Sequence, residues 1–174
     1  MAFGTVSGFA PLCEEQKGGR PAVVYRRFGK RALDIVCSAA GIVLLSPLLL
    51  ALAVWVKLDS PGPVLFRQKR VGKGKVLFCI LKFRTMYADT PKDVPTHLLQ
   101  DPDAMITRCG RFLRRTSLDE LPQLFNIFAG QMSVVGPRPA LWNQDDLIAE
   151  RDKYGANALV PGLTGWAQAN GRDE

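Results

Sequence analysis

From Ile35 to Val56 the chain runs about 22 residues without a charge, at or above the length that a membrane-spanning helix needs. The pattern predicts one membrane segment. Ser46-Pro47 interrupts it, and a proline inside a helix removes a hydrogen bond and clashes one turn back, so a bend is expected there. Arg26, Arg27, Lys30 and Arg31 precede the apolar run, and Lys57, Arg67, Lys69, Arg70, Lys73 and Lys75 follow it. Basic residues favour the cytoplasmic side, and a straight span cannot keep both flanks there. A kinked helix that enters and leaves the same leaflet can; a straight signal-anchor helix with a tolerated proline is the alternative. Asp34 falls at the boundary beside Lys30 and Arg31, where pairing would lower its cost.

Residues 1–24 are small, polar and glycine-rich and read as a mobile leader, with apolar content too broken for a signal peptide. After the apolar run, Ser60-Pro-Gly-Pro63 is a turn cluster. Val64–Phe66 and Val76–Leu81 then read as two strands of a hairpin joined through Gly72-Lys-Gly-Lys75. The spacing of those glycines excludes a Walker loop. Strand alternation continued past Leu81 would put Lys82 and Arg84 on one side, two cations suited to a diphosphate; an ordinary solvated edge is the other reading. The polar stretch 87–104 reads as a surface loop carrying His97, the one histidine, as a solvated side chain. Leu118, Leu121, Leu124, Phe125 and Phe128 recur at helical spacing and predict a short amphipathic helix. A charged helix is expected over 142–154, with Asp145, Asp146, Glu150 and Asp152 on a solvated face.

Charge sharpens this picture. The net charge is +7, yet fourteen of the 23 Lys and Arg and only four of the 16 Asp and Glu lie at or before Arg84. A basic half of this kind points to phospholipid headgroups or phosphates. Nucleic acid is the competing partner, but the basic residues lack an interleaved aromatic stacking platform, and no nucleic acid is expected. Cys13, Cys37, Cys79 and Cys109 are scattered, with neither zinc-ligand spacing nor a disulfide framework, and read as reduced thiols facing the cytosol.

The predicted helix over 118–128 holds two adjacent carboxylates, Asp119 and Glu120, near its N-terminal end. Free backbone N–H groups there, with Arg111, Arg114 and Arg115 just upstream, would keep a carboxylate ionised and draw an anionic substrate. The plainer alternative is a capping box, Ser117 as N-cap and Glu120 three residues later. Pro122 argues against its simplest form, and a helix beginning one or two residues later relieves the conflict.

Asp119-Glu-Leu-Pro-Gln-Leu124, Met132-Ser133 and Gly136-Pro-Arg-Pro139 together resemble the signature of the bacterial sugar transferases, the monotopic polyprenyl-phosphate phosphoglycosyl transferases. Lys82-Phe-Arg-Thr-Met86 and Pro161-Gly-Leu-Thr-Gly-Trp-Ala-Gln-Ala-Asn-Gly-Arg172 resemble two further family stretches, and Gln68, Arg70 and Gly72 match family positions; the likeness spans about Tyr25 to Glu174. It implies a break of the membrane helix at Ser46 and Pro47. It also implies transfer of a sugar-1-phosphate from a UDP-sugar to polyprenyl (undecaprenyl) phosphate, with Asp119 as nucleophile. Three features depart from the family: Gln131 stands where Asp is usual, Val160 where Arg or Lys is usual, and members commonly continue past Gly-Arg, so that their last helices lie beyond Glu174.

The expectation is therefore an α/β monotopic membrane protein. Residues 25–59 form the basic flank and re-entrant helix, and residues 60–174 form a compact cytosolic catalytic domain of amphipathic helices and a small hairpin, at the cytosolic face of the inner membrane. Asp119 and Glu120 are the catalytic pair and would hold Mg²⁺; Glu120 orients metal or nucleophile rather than attacking. Lys82, Arg84, Arg114 and Arg138 are candidate phosphate clamps, Arg138 held on a stiff frame by its two prolines. Gln168, Asn170 and Arg172 are candidates for nucleotide or sugar, a tight structural turn being the alternative. Phospholipids and downstream glycosyltransferases would be partners in the first membrane step of exopolysaccharide, capsule, O-antigen or glycoprotein assembly. A membrane scaffold without catalysis, or a membrane-anchored nucleic-acid-binding module, is the competing function.

Overall fold

The computed structural model describes residues 28–91, 101, 103–165 and 169–170. Helix α1 spans Lys30–Asp59 and continues through Pro47; its 30 residues give a path of roughly 45 Å measured along the helix. The proline deprives the Val43 carbonyl, four residues back, of its donor. Ser46 Oγ donates to that same carbonyl at 2.8 Å. The Ser-Pro pair thus removes a backbone bond and replaces it with a side-chain bond, as an apolar surrounding requires. Most of α1 is uncovered, with Val36, Val43, Leu44, Leu50 and Leu58 exposed. Among the described residues it is the one helix long and apolar enough to cross a membrane.

Polar groups fix the first turns of α1. Asp34 is buried, and its Oδ1 accepts from Ser133 Oγ at 3.0 Å and from the Val134 N–H at 2.9 Å. Arg31 donates to the carbonyls of Ile127 and Phe128 at 2.6 and 2.7 Å, and Lys30 to that of Val135 at 2.8 Å. Asp34 is thus compensated by a hydroxyl and a backbone N–H, while the neighbouring cations cap carbonyls. Apolar contact fixes the other end, where Leu52 and Val56 join Phe83, Cys109 and Leu113 in one buried cluster. Each such side chain contributes about 1.5–3 kcal/mol when fully buried. Asp59 Oδ2 accepts from the Cys109 N–H at 3.0 Å.

The hairpin forms as expected. Strand β1 (Leu65–Val71) pairs antiparallel with β2 (Leu77–Phe83), Leu65 opposite Phe83 and Val71 opposite Leu77, around a 3-10 turn at Lys73–Lys75. Helix α2 comes next at Arg108–Thr116, its N-terminus capped by Thr107 Oγ1, which accepts from the Gly110 N–H at 2.9 Å.

The expected single helix over 118–128 is two elements. Ser117 takes a left-handed conformation, φ 58°, and closes α2 as its C-cap; its side chain makes no capping bond to the next turn. Leu118–Glu120 is a 3-10 turn, and α3 begins only at Gln123 and ends at Phe128. Pro122 precedes its first residue, where the missing N–H costs nothing. The capping box is therefore absent: the Glu120 backbone N–H bonds the Ser117 carbonyl, and the Glu120 side chain points elsewhere. The apolar stripe is also redistributed. Leu118, Leu121 and Leu124 pack on the core, while Phe125 and Phe128 are about half exposed, and Gln123, Asn126 and Ile127 are buried instead.

A short parallel pair, β3 (Ser133–Val135) and β4 (Gly162–Thr164), sets Ser133 beside Gly162 and Val135 beside Thr164. Glycine is required where these segments cross. A Cβ on Gly162 would lie 2.0 Å from the Gly136 nitrogen, and one on Gly136 would lie 2.4 Å from the Val160 carbonyl oxygen. The motif Gly136-Pro-Arg-Pro139 and the Pro161-Gly162 segment are thereby bound to one another. Helix α4 covers Asp145–Lys153 and has no buried residue; Asp152 pairs with Lys75 of the hairpin turn, and Glu150 with Lys153.

Candidate active site

Lys82 is the last but one residue of β2, and its ammonium meets Glu120 Oε1 at 2.6 Å across the gap to the 3-10 turn. Arg138, from the stiff Gly-Pro-Arg-Pro segment, approaches the same oxygen at 3.5 Å. Arg70 enters from β1: its Nε and one terminal nitrogen donate to Gln68 Oε1 at 3.1 and 2.7 Å, and its other terminal nitrogen donates to the Pro139 carbonyl at 3.1 Å. These side chains line one small cleft, with Ile80, Gln123, Pro139, Gly162 and Leu163 completing its wall.

Three cations converge there on Glu120. Burial and the nearby Arg138 press the Arg70 guanidinium down to about 10, with Glu120 acting the other way. Burial alone would raise the Glu120 carboxyl, but Lys82 and Arg138 outweigh it and hold it below the usual range. Glu120 is thus ionised and already engaged.

Asp119 differs from its neighbour. It is only 8 % exposed, and burial pushes its carboxyl above the ordinary aspartate value, against the pull of Lys82 and Arg114. Among the described residues no other side chain hydrogen-bonds to it; its own backbone N–H does. Arg114 is held by Thr85 Oγ1, which accepts from its Nε at 2.9 Å, and burial lowers its guanidinium while Asp119 and Asp103 raise it. Arg111 and Arg115 are exposed on α2. The field acting on Asp119 therefore comes from Lys82 and Arg114 rather than from the end of a regular helix.

Arg84 is a correction. Strand β2 ends at Phe83, so alternation does not extend to Arg84, whose backbone N–H bonds the Val64 carbonyl. Its guanidinium is 4 % exposed and donates to the carbonyls of Ser60 at 2.7 Å, Val56 at 3.3 Å and Pro61. It fastens the turn after α1 and takes no part in the cleft. Gln168 and Arg172 lie outside the described residues; Asn170 is exposed. The sequence reading missed Arg70 and Gln123 as cleft residues. A Gln-x-Arg alternation on β1 offered a signal, because residues two apart share a face.

The bacterial sugar transferase model matches residues 25–174. The chain belongs to that family. It is 44 % identical over 163 residues to a UDP-N-acetylgalactosamine-undecaprenyl-phosphate N-acetylgalactosaminephosphotransferase of Aeromonas hydrophila, covering 90 % of this chain and 37 % of that one. A UDP-glucose:undecaprenyl-phosphate glucose-1-phosphate transferase of Caulobacter vibrioides is 50 % identical over 146 residues, 82 % of this chain and 54 % of its own. The exopolysaccharide production protein PSS of Rhizobium leguminosarum bv. phaseoli is 43 % identical over 149 residues, 82 % of this chain and 74 % of its own. This sugar transferase domain thus spans only about a third to a half of the first two relatives.

Proposed function

We propose that the domain transfers a sugar-1-phosphate from a UDP-sugar to undecaprenyl phosphate through a phosphosugar carried on Asp119. The observation that carries this reading is the division of labour between adjacent carboxylates: Glu120 is bound by Lys82 and Arg138, whereas Asp119 is buried, flanked by cations and engaged by no other side chain. A carboxylate flanked by cations but bound by no other side chain is available to attack. Its oxygen attacks the sugar-bearing phosphorus, forming an acyl phosphate bond while the bond to the UMP oxygen breaks and UMP leaves. The lipid phosphate oxygen then attacks the same phosphorus and releases the carboxylate. Arg70, Lys82 and Arg138 neutralise the diphosphate, and Lys82 and Arg114 favour the ionised form of Asp119 against its burial.

Mg²⁺ fits these residues. The ion usually takes one or two carboxylates plus substrate phosphates rather than a full protein cage, and among the described residues no three His, Cys, Asp or Glu cluster. Asp119 and the second oxygen of Glu120 would hold it, and it would supply charge neutralisation of the diphosphate.

The placement of α1 supports a re-entrant, monotopic arrangement at the cytosolic face of the inner membrane. A spanning helix sets its two ends about 30 Å apart on opposite faces of the hydrocarbon. Here the first turns bind the 127–135 segment and the last turns pack on Phe83, Cys109 and Leu113. Both ends serve one polar body, and the basic flanks favour the cytoplasm. The product, a lipid-linked phosphosugar, is the substrate class of glycosyltransferases that extend an exopolysaccharide or related glycan.

The test is UMP release by purified protein from UDP-glucose, UDP-N-acetylgalactosamine and other UDP-sugars, with undecaprenyl phosphate and Mg²⁺. Sustained release dependent on both lipid and sugar nucleotide is expected, with at most one UMP per protein when lipid is omitted. Binding of these nucleotides without turnover by the full-length protein would leave a non-catalytic domain.

A further inference from the structure

Helix α3 buries two side-chain amides one turn apart, Gln123 and Asn126, each 2 % exposed. Their surroundings differ completely. Asn126 is saturated: Oδ1 accepts from the Leu81 N–H at 2.9 Å, and Nδ2 donates to the Cys79 carbonyl at 2.8 Å and to Gln131 Oε1 at 2.6 Å. It occupies the free edge of β2 as a neighbouring strand would. Gln123 lines the cleft with Arg70, Lys82, Glu120 and Arg138, and among the described residues none hydrogen-bonds its amide. The Gln123 amide therefore faces the cleft with its hydrogen-bonding capacity unused by the described residues.

We infer that Gln123 is a substrate-contacting residue whose amide is completed by the phosphosugar: Nε2 donates to a phosphoryl oxygen and Oε1 accepts from a hydroxyl of the attached sugar. The surroundings of the amide set this chemistry. The cleft already concentrates positive charge where a phosphoryl group would sit, so the amide nitrogen adds a neutral donor to an anion held by Arg70, Lys82 and Arg138. The amide oxygen needs a donor, which a phosphate dianion lacks and a sugar hydroxyl supplies. The inference rests on the transferase reading above, but it assigns Gln123 a role separate from that of the carboxylates.

The test uses Gln123→Met, close in length and volume and without polar atoms, alongside Asn126→Leu as a control on the same helix. Affinity for UDP-glucose and UDP-N-acetylgalactosamine, steady-state UMP release and thermal unfolding are measured on the full-length protein. For Gln123→Met, a midpoint close to wild type is expected, because no hydrogen bond within the described protein is lost. Its UDP-sugar affinity or kcat/KM should fall about tenfold to a hundredfold, the range for one lost hydrogen bond to a substrate. Asn126→Leu should instead lower the midpoint. Wild-type affinity and turnover in Gln123→Met, or a lowered midpoint with unchanged affinity, overturns the assignment and makes Gln123 structural. Failure of the wild-type protein itself to bind or turn over any UDP-sugar overturns the transferase reading first.

Discussion

The base of the domain, where it grips α1, and the cleft above Glu120 use the same residue types to opposite ends. At the base the charges are tied into the fold, although the Arg84 Nε and the Ser60 Oγ beside it have no partner among the described residues. Arg84 is spent on carbonyls after α1, Arg31 on those ending α3, and Asp34 on Ser133 and Val134. In the cleft Arg70, Lys82 and Arg138 face one engaged carboxylate, while the Gln123 amide on its wall and the Asp119 carboxylate next to Glu120 in the chain have no side-chain hydrogen-bond partner among the described residues. The difference teaches how to separate a structural charge from a functional one. A buried charge is costly unless paired; at the base the partners are mostly backbone carbonyls and N–H groups that hold the fold, whereas in the cleft three cations share a single carboxylate and keep capacity for an anionic ligand.

The largest expected effect tests the cleft. Asp119→Asn should lower UMP release by about a thousandfold or more, since the attacking oxyanion is lost, while the protein unfolds no more easily. Linkage gives the sign: the folded-state value is raised by burial, so the ionised carboxylate costs stability, and wild type loses stability as pH rises from the ordinary aspartate range through the raised value. The neutral amide is exempt. Thermal unfolding at several pH values checks this, and a lower midpoint for the variant at neutral pH would contradict it. Glu120 has the opposite sign. Its lowered value contributes stability above the ordinary glutamate range that is lost as pH falls through the folded value, and Glu120→Gln should cost about 1.5–3 kcal/mol.

Next comes the base. Arg84→Met removes donors from the Ser60, Val56 and Pro61 carbonyls and should destabilise by about 3 kcal/mol, with the KM for UDP-sugar in the folded fraction unchanged. A raised KM with unaltered stability would return Arg84 to the cleft. Lys82→Met should do the reverse, raising KM and moving the acid limb of the rate profile upward, because Lys82 lowers both carboxyls. The smallest effect is expected at Gln131, whose exposed side chain accepts from Asn126: Gln131→Asp keeps an acceptor there and should change turnover less than about threefold.

Much of this contrast was legible in the sequence. An unbroken apolar run with basic flanks gave α1, and strand alternation around a glycine turn gave the hairpin. Two prolines around Arg138 gave its frame. What failed was the periodicity across 116–128, because a left-handed Ser117 and the Leu121-Pro122 junction split one pattern into a turn and a short helix. The site of Arg84 was also hidden, since alternation holds only while the strand lasts. The β3–β4 pairing joins segments too short to show a period, and the three-cation convergence on Glu120 depends on contacts between residues far apart in sequence.

Trapping of the intermediate tests the central claim most directly. The protein is incubated with Mg²⁺ and a UDP-sugar bearing ³²P on the sugar-proximal phosphorus, without lipid acceptor, then quenched in acid and digested. The account predicts acid-stable, base-labile label on the peptide carrying Asp119, discharged by undecaprenyl phosphate and absent from Asp119→Asn. Turnover of the same substrate by Asp119→Asn at the wild-type rate, with no labelled peptide from wild type at any time, would contradict it.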